Sequence, residues 1–152
     1  MMDYHCHSMA VWTQRRNGTA HAAEGTVAIP FSAPPEFHGE DGKWTPEHFF
    51  AAAIASCFVT TFRAIAELSK FAYAGLRVTV EAILEHETGG YRFTRVVVQP
   101  ELSLHNETQR EQGVRLLDKA ERACLISRSI RSQIELRPTI TISATQSNLP
   151  AV

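Results

Sequence analysis

The pattern of apolar and polar positions along the chain predicts two pairs of strands, each followed by a helix, and then a single final strand. The five predicted strands cover residues 8–14, 19–29, 76–85, 91–98 and 134–142. Two helices are predicted at about residues 45–70 and 108–124. This order is typical of an α+β domain in which a mainly antiparallel sheet packs on two helices. We expect a single domain that covers residues 1–152.

Turn and capping signals mark the ends of several elements. Asn17-Gly18 predicts the hairpin turn between the first two strands. The three prolines within residues 30–39 predict a loop without regular structure. Thr108-x-x-Glu111 is a capping box and predicts the start of the second helix.

The first helix begins with three favourable residues. Thr45 can cap it, Pro46 suits the first helical position, and Glu47 places a negative charge at the positive end of the helix dipole. A run of alanines leaves the half before Cys57 with almost no polar face. Because a helix that is apolar on all sides is buried on all sides, this pattern indicates that a partner subunit covers it.

Composition narrows the class of protein. The formal net charge of −1 argues against nucleic acid as a partner, because a nucleic-acid-binding protein needs a basic field to attract phosphates. Three cysteines are too few, and an odd number, for a secreted disulfide framework, so we expect free thiols in a reducing compartment.

The N-terminus has no basic segment followed by an apolar one, which predicts no signal peptide. Residues 49–65 are interrupted by polar side chains and are judged too short to cross a membrane. We expect a cytoplasmic protein.

Two cysteines, Cys57 and Cys124, fall on the apolar faces of the two predicted helices. They are 67 residues apart, so no local motif joins them. From the pattern alone, inert packing is the more common reading of a buried free cysteine. Packed helices lie about 8–10 Å apart, however, so facing thiols can come within reach of a disulfide bond.

Residues 45–58, TPEHFFAAAIASCF, resemble the first cysteine motif of the OsmC/Ohr family of osmotically inducible and organic-hydroperoxide-resistance proteins. Residues 120–127, AERACLIS, resemble the second motif, with Leu125 where many members have proline. The order of strands and helices matches along nearly the whole chain. The resemblance implies an OsmC-like branch with an intertwined homodimer, in which sheets wrap around the two central cysteine-bearing helices.

The resemblance also implies an activity and its residues. Cys57 would be the peroxidatic cysteine that attacks an organic hydroperoxide, and Cys124 would resolve it through a disulfide, with no cofactor. A dithiol reductant of the lipoyl type would reopen that disulfide. Arg16, or its neighbour Arg15, would hold the thiolate, and Glu47 would orient the arginine. From the residues alone, the ordinary interpretation is that the arginine is a solvated turn residue. The glutamate would then only place a charge at the helix dipole.

A geometric condition applies to Glu47 and Cys57. Ten positions of continuous helix separate them by about 15 Å along the axis. They can therefore share a site only if the helix breaks after its first turn or if Glu47 comes from the other subunit.

Four phenylalanines near the first motif are candidates for an apolar substrate pocket. A place in the core is the commoner role for such residues. They are Phe37, Phe49, Phe50 and Phe58.

Two rival interpretations remain. His5-Cys6-His7 mixes metal-ligand types, but two histidines make half of a zinc site and no second pair stands at ligand spacing, so we expect no metal. The second rival is a non-catalytic dimer of the same fold that binds a small apolar ligand or a partner while its cysteines stay idle.

Overall fold

The structure is a computed structural model that describes residues 3–22 and 25–143. The chain divides into two compact units, one up to Phe50 and one from Ala51, and each is described by itself. The elements are those of an α+β protein, as the sequence predicts. The prediction of one domain over residues 1–152 stays a prediction.

The first unit contains an antiparallel three-stranded sheet in the order β1-β2-β3. Its strands are β1 (Met9–Gln14), β2 (Asn17–His21) and β3 (Ile29–Ser32). The prediction of one strand over residues 19–29 is wrong, because β2 ends at His21 and β3 begins only at Ile29. Ala23 and Glu24 of that range lie outside the described residues.

The prediction of an irregular segment at residues 30–39 is also wrong in part. Pro30 lies within β3, where it pairs with Thr19 of β2. Proline is tolerated there because β3 is an edge strand and needs no second ladder of amide donors. Residues Pro35–Phe37 form one turn of 3₁₀ helix.

The turn between β1 and β2 lies two residues earlier than the sequence predicts. Arg15 and Arg16 form it, with Arg15 in the left-handed region at φ 48°. Gly18 is instead the second residue of β2, and a Cβ there would stand 2.6 Å from the Phe31 ring. The glycine is therefore required for strand packing and not for the turn.

Helix α1 (Pro46–Leu68) starts where the sequence predicts. Thr45 caps it, since its hydroxyl accepts a hydrogen bond from the His48 amide at 3.3 Å, and His48 Nδ1 accepts one from the Thr45 amide at 3.1 Å. By length and composition alone the helix could cross a membrane, with a mean hydropathy of 1.7. This corrects the argument that the apolar stretch is too short and too polar, although the core helix of a soluble protein meets the same criterion.

Among residues 3–22 and 25–143, helix α1 is buried along one side only. Its residues in the core of the second unit are Ile54, Phe58, Phe62, Ile65 and Ala66. Other apolar positions remain open, and Val59 is 38% exposed. The expectation that a partner subunit covers the rest of the helix stays a prediction.

The second unit is built on a sheet with β5 at its centre. The long strands β4 (Gly75–Glu87) and β5 (Gly90–Leu104) form an antiparallel hairpin. Two short strands, β6 (Gln133–Leu136) and β7 (Thr139–Ile142), each pair with β5 in parallel. They correspond to the predicted last strand, which breaks at Pro138 because proline cannot donate to the ladder.

Helix α2 (Arg110–Ala123) packs on this sheet and is followed by the short helix α3 (Leu125–Arg128). A Cβ on Gly113 would stand 3.1 Å from a Leu102 methyl, so glycine allows α2 to lie close to β5. The predicted capping box at residues 108–111 is wrong. Asn106 and Gln109 form the box instead, around a 3₁₀ turn that precedes α2. A capping motif of the same spacing thus occurs two residues earlier.

Candidate functional site

Cys57 lies in the middle of α1, half-buried, on the side that faces the core of the second unit. The hydroxyl of Thr61, one helical turn later, is 3.9 Å from the Cys57 sulfur. Residues four positions apart on a helix are neighbours, so α1 itself provides this contact.

Cys124 occupies the junction between α2 and α3 and is fully buried. Its extended backbone, at φ −62° and ψ 113°, ends one helix and begins the next. This change of direction brings the thiols of Cys57 and Cys124 into direct interaction, in which each affects the ionisation of the other. The structure thus places together two cysteines that are far apart in sequence.

The pKa of the Cys57 thiol lies below its ordinary value. Burial raises this pKa, but hydrogen bonds to the sulfur outweigh burial. The donors, in decreasing order, are the amide of Ile126, the thiol of Cys124, the hydroxyl of Thr61 and the amide of Leu125. The two amides begin α3, so the helix junction at Cys124 also directs donors at Cys57. A lowered pKa increases the fraction of reactive thiolate at neutral pH.

The pKa of the Cys124 thiol is shifted in the opposite direction. Burial is the main cause of its rise, and the hydrogen bond and charge of Cys57 add to it. The side chain and amide of Ser127 oppose the rise. Of the two thiols, Cys57 therefore loses its proton more readily than Cys124, and the charge of an ionised Cys57 further opposes ionisation of Cys124.

Arg16 and Glu47, the predicted partners of the thiolate, belong to the first unit. The side chain of Arg16 is exposed at the β1–β2 turn. The backbone carbonyl of Arg16 accepts a hydrogen bond from the Ala33 amide at 3.1 Å. Glu47 lies in the first turn of α1, and its Oε2 atom is buried. Among the described residues, Oε2 has no hydrogen-bond partner and no ion pair joins Glu47 to Arg16. Their roles stay predictions.

The surroundings of Arg15 differ from those of Arg16. Asn17 is buried and donates a 2.7 Å hydrogen bond to Glu40. Hydrogen bonds from Lys43 and Asn17, with a smaller contribution from the charge of Arg15, hold the pKa of Glu40 below its ordinary value. The charge of Arg15 thus acts weakly on a carboxylate in its own unit, and the choice between Arg15 and Arg16 stays a prediction.

The four candidate pocket phenylalanines do not share one environment. Phe58 is fully buried in the core of the second unit, which fits the ordinary core role. Phe37 and Phe50 are half-buried. Phe49 lies parallel to the ring of Trp44, with 5.3 Å between ring centroids.

Phe49 also borders a cavity of about 590 Å³ in the first unit. The wall is mostly apolar and includes Met9, Val27, Ile29 and Phe31. The sequence does not reveal this cavity, because its wall comes from separate strands and from the start of α1. Such a cavity is large enough to hold a small apolar molecule.

No group of three or more histidine, cysteine, aspartate or glutamate side chains suited to a metal ion occurs within residues 3–22 and 25–143. Cys6 is exposed. Nothing in this part of the structure connects Cys6 to the pair formed by Cys57 and Cys124.

Sequence reasoning missed the residues that surround Cys57. Thr61 is four positions after Cys57, a spacing that could have identified it as a neighbour. The amides of Leu125 and Ile126 carry no side-chain signal. Only the structure shows that the α2–α3 junction directs them at the sulfur of Cys57.

Comparisons with known proteins agree on one family. Residues 39–139 match the sequence model of the family described as OsmC-like protein. The chain is 28% identical to the uncharacterised protein YmaD of Bacillus subtilis, over 90% of this chain and 93% of that one. It is 29% identical to an organic hydroperoxide resistance protein of Xanthomonas axonopodis pv. citri, over 90% and 94%. An OsmC-like protein of unknown function from Vibrio cholerae shares the fold, with a TM-score of 0.80 at 19% identity over 90% and 99% of the two chains.

Proposed function

Because the chain belongs to the OsmC-like family, we propose that it is a cytoplasmic thiol peroxidase that reduces organic hydroperoxides to alcohols. One observation carries the proposal: two distant cysteines interact directly, and the pKa of Cys57 is lowered while that of Cys124 is raised. A peroxidase needs this pairing, with a thiolate ready to attack and a neighbouring thiol in reserve. The similarity to an organic hydroperoxide resistance protein supports the choice of substrate class.

In the first half of the reaction, the Cys57 thiolate attacks the distal oxygen of the hydroperoxide. The O–O bond breaks, the alkoxide takes up a proton and leaves as an alcohol, and Cys57 becomes a sulfenic acid. The sulfur is oxidised by two electrons and the peroxide is reduced by two. Cys57 is half-buried rather than fully buried, which supports access of a substrate to this residue.

In the second half, Cys124 attacks the sulfenic sulfur and the hydroxyl group leaves as water. A disulfide joins Cys57 to Cys124 and protects Cys57 from further oxidation. A dithiol of the lipoyl type then reduces this bond by thiol–disulfide exchange, becoming a disulfide itself. The proximity of the two thiols supports this step, because the resolving sulfur needs no long movement.

We include Arg16 and Glu47 in the site through a homodimer. Helix α1 is continuous from Pro46 to Leu68, so the helix break that would let Glu47 and Cys57 of one chain share a site does not occur. The proposal therefore uses Glu47 of the partner subunit. The buried and unpartnered Oε2 atom of Glu47 supports a role in pairing, because a buried carboxylate oxygen without a partner is costly.

The test is peroxide consumption with cumene hydroperoxide and dihydrolipoamide. Cys57→Ser is expected to lose nearly all activity, about a hundredfold or more, because a serine hydroxyl is far less ionised than a thiol. Cys6→Ser is the matched control, since it removes an exposed cysteine and should keep the wild-type rate. Equal rates for the wild type and Cys57→Ser would end the peroxidase proposal.

The alternative, a non-catalytic dimer that binds a small apolar ligand, is favoured by the apolar cavity of about 590 Å³ in the first unit. A fluorescent apolar probe such as 1-anilinonaphthalene-8-sulfonate separates the two proposals. Saturable probe binding together with equal peroxide consumption by wild type and Cys57→Ser would favour the alternative. A Cys57-dependent rate would favour the peroxidase.

A further inference from the structure

We propose that Thr61 is a further residue of the thiol site, and that its hydroxyl donates a hydrogen bond to the Cys57 thiolate and stabilises it. Its catalytic relevance rests on the proposed function, whereas the hydrogen bond itself does not. Thr61 Oγ1 is 3.9 Å from Cys57 Sγ, and Thr61 is half-buried on the same side of α1. This is a direct contact with the atom that would react.

The neighbouring threonine shows that this contact is not the default for a hydroxyl on a helix. Thr60 is exposed and donates to the carbonyls of Ser56 and Cys57, at 3.1 Å in both cases. Ser56 behaves in the same way toward Ala52 and Ala53. Such bonds back to the preceding turn are the usual arrangement in helices. In the described part of the chain, the hydroxyl of Thr61 instead has the Cys57 sulfur as its hydrogen-bond partner.

The direction of the hydrogen bond follows from the reactive state of the sulfur. A neutral thiol can donate or accept, but a thiolate can only accept, so Thr61 must be the donor once Cys57 ionises. A hydrogen bond to a charged group is stronger than one between neutral groups. The contact therefore favours the ionised form over the neutral one.

Other donors face the same sulfur and share this task. They are the thiol of Cys124 from the α2–α3 junction and the amides of Leu125 and Ile126 from the start of α3. Cys124 is the titratable group among them, and it is more difficult to ionise than Cys57. Thr61 differs from them because a side-chain substitution can remove its donor without disturbing the junction.

The experiment measures the rate at which iodoacetamide alkylates Cys57 as a function of pH, by mass spectrometry of the Cys57 peptide. All variants carry Cys6→Ser. Thr61→Val removes the hydroxyl and keeps the shape, and we expect alkylation about three- to tenfold slower at pH 6, as for loss of one hydrogen bond of ordinary strength, because the contact with sulfur is long at 3.9 Å. The rates should converge at high pH, where Cys57 is ionised in every variant. Thr61→Ser should restore the wild-type profile.

Thr60→Val is the matched control, because the Thr60 hydroxyl at the adjacent position donates to backbone carbonyls and not to the Cys57 sulfur. An unchanged pH profile in both Thr61→Val and Thr61→Ala, or an equal shift in Thr60→Val, would overturn the inference. Thermal unfolding followed by circular dichroism identifies any variant that does not fold, and Thr61→Ala then replaces Thr61→Val. Because alkylation needs no peroxide, its outcome is independent of whether the wild type consumes cumene hydroperoxide, which alone tests the proposed function.

Discussion

The two interacting cysteines lie in contrasting settings. Cys57 is half-buried in the middle of a long helix and has a lowered pKa, whereas Cys124 is fully buried at a junction between two helices and has a raised pKa. Burial raises the pKa of both thiols and is the main cause of the rise at the fully buried Cys124. At Cys57 hydrogen-bond donors outweigh burial, because the junction that holds Cys124 directs its thiol and two amides at Cys57. Backbone geometry around one cysteine therefore sets the reactivity of the other.

The largest effect on this division of roles should come from removing Cys124, the resolving thiol that we propose. We expect Cys124→Ser to complete one turnover and then to lose steady-state activity by about tenfold or more, because no disulfide can form. Cys57 should then gain further oxygen atoms, as a sulfinic or sulfonic acid. Intact-mass spectrometry after excess peroxide measures this gain. A variant that keeps full steady-state activity without overoxidation would show that Cys124 is not the resolving residue.

A smaller effect is expected from the arginine that we assign to the thiolate. Arg16→Ala should slow peroxide consumption at pH 7 about tenfold, as for loss of a charge-assisted hydrogen bond. Arg15→Ala is the matched variant, since the charge of Arg15 already acts on Glu40. We expect it to change the rate less than about twofold. A larger loss in Arg15→Ala than in Arg16→Ala would reverse the assignment.

The smallest expected effect concerns the pH at which each of the two cysteines reacts with an alkylating reagent. The thiolate fraction of each rises with pH, so the lowered pKa of Cys57 should make it react with iodoacetamide at lower pH than Cys124. Cys124→Ala removes one donor to Cys57 and should shift the Cys57 profile to higher pH, with about threefold slower alkylation at pH 6. Peptide-resolved mass spectrometry gives both profiles. If Cys124 reacts at the lower pH, the order of the two pKa values is wrong.

Local signals explain which parts of the fold were predictable. The start of α1 has its own cap and the β4–β5 hairpin has a regular alternation, so both follow from a few adjacent residues. The split between β2 and β3 does not, because no proline marks an end in the residues between them. The parallel pairing of β6 and β7 with β5 depends on contacts far apart in sequence, which periodicity does not report.

The candidate site also has residues that the sequence could predict and residues that it could not. Cys57 and Cys124 could be selected from the sequence through their motifs, but the spacing of 67 residues could not show that they interact. The backbone donors to Cys57 arise from a change of direction at Cys124, and backbone amides leave no mark in a sequence. Thr61 stands at a spacing that could have identified it, yet a threonine on an apolar helix gives no reason to expect a contact with sulfur.

The central claim is that Cys57 and Cys124 form a redox pair, and peptide mapping after peroxide treatment tests it most directly. The protein would be treated with one equivalent of cumene hydroperoxide, alkylated and digested without reductant, then analysed by mass spectrometry. The account predicts a disulfide-linked peptide pair that contains Cys57 and Cys124, and its disappearance after addition of dihydrolipoamide. Recovery of both cysteines as separately alkylated peptides, or a disulfide that involves Cys6 instead, would contradict the account.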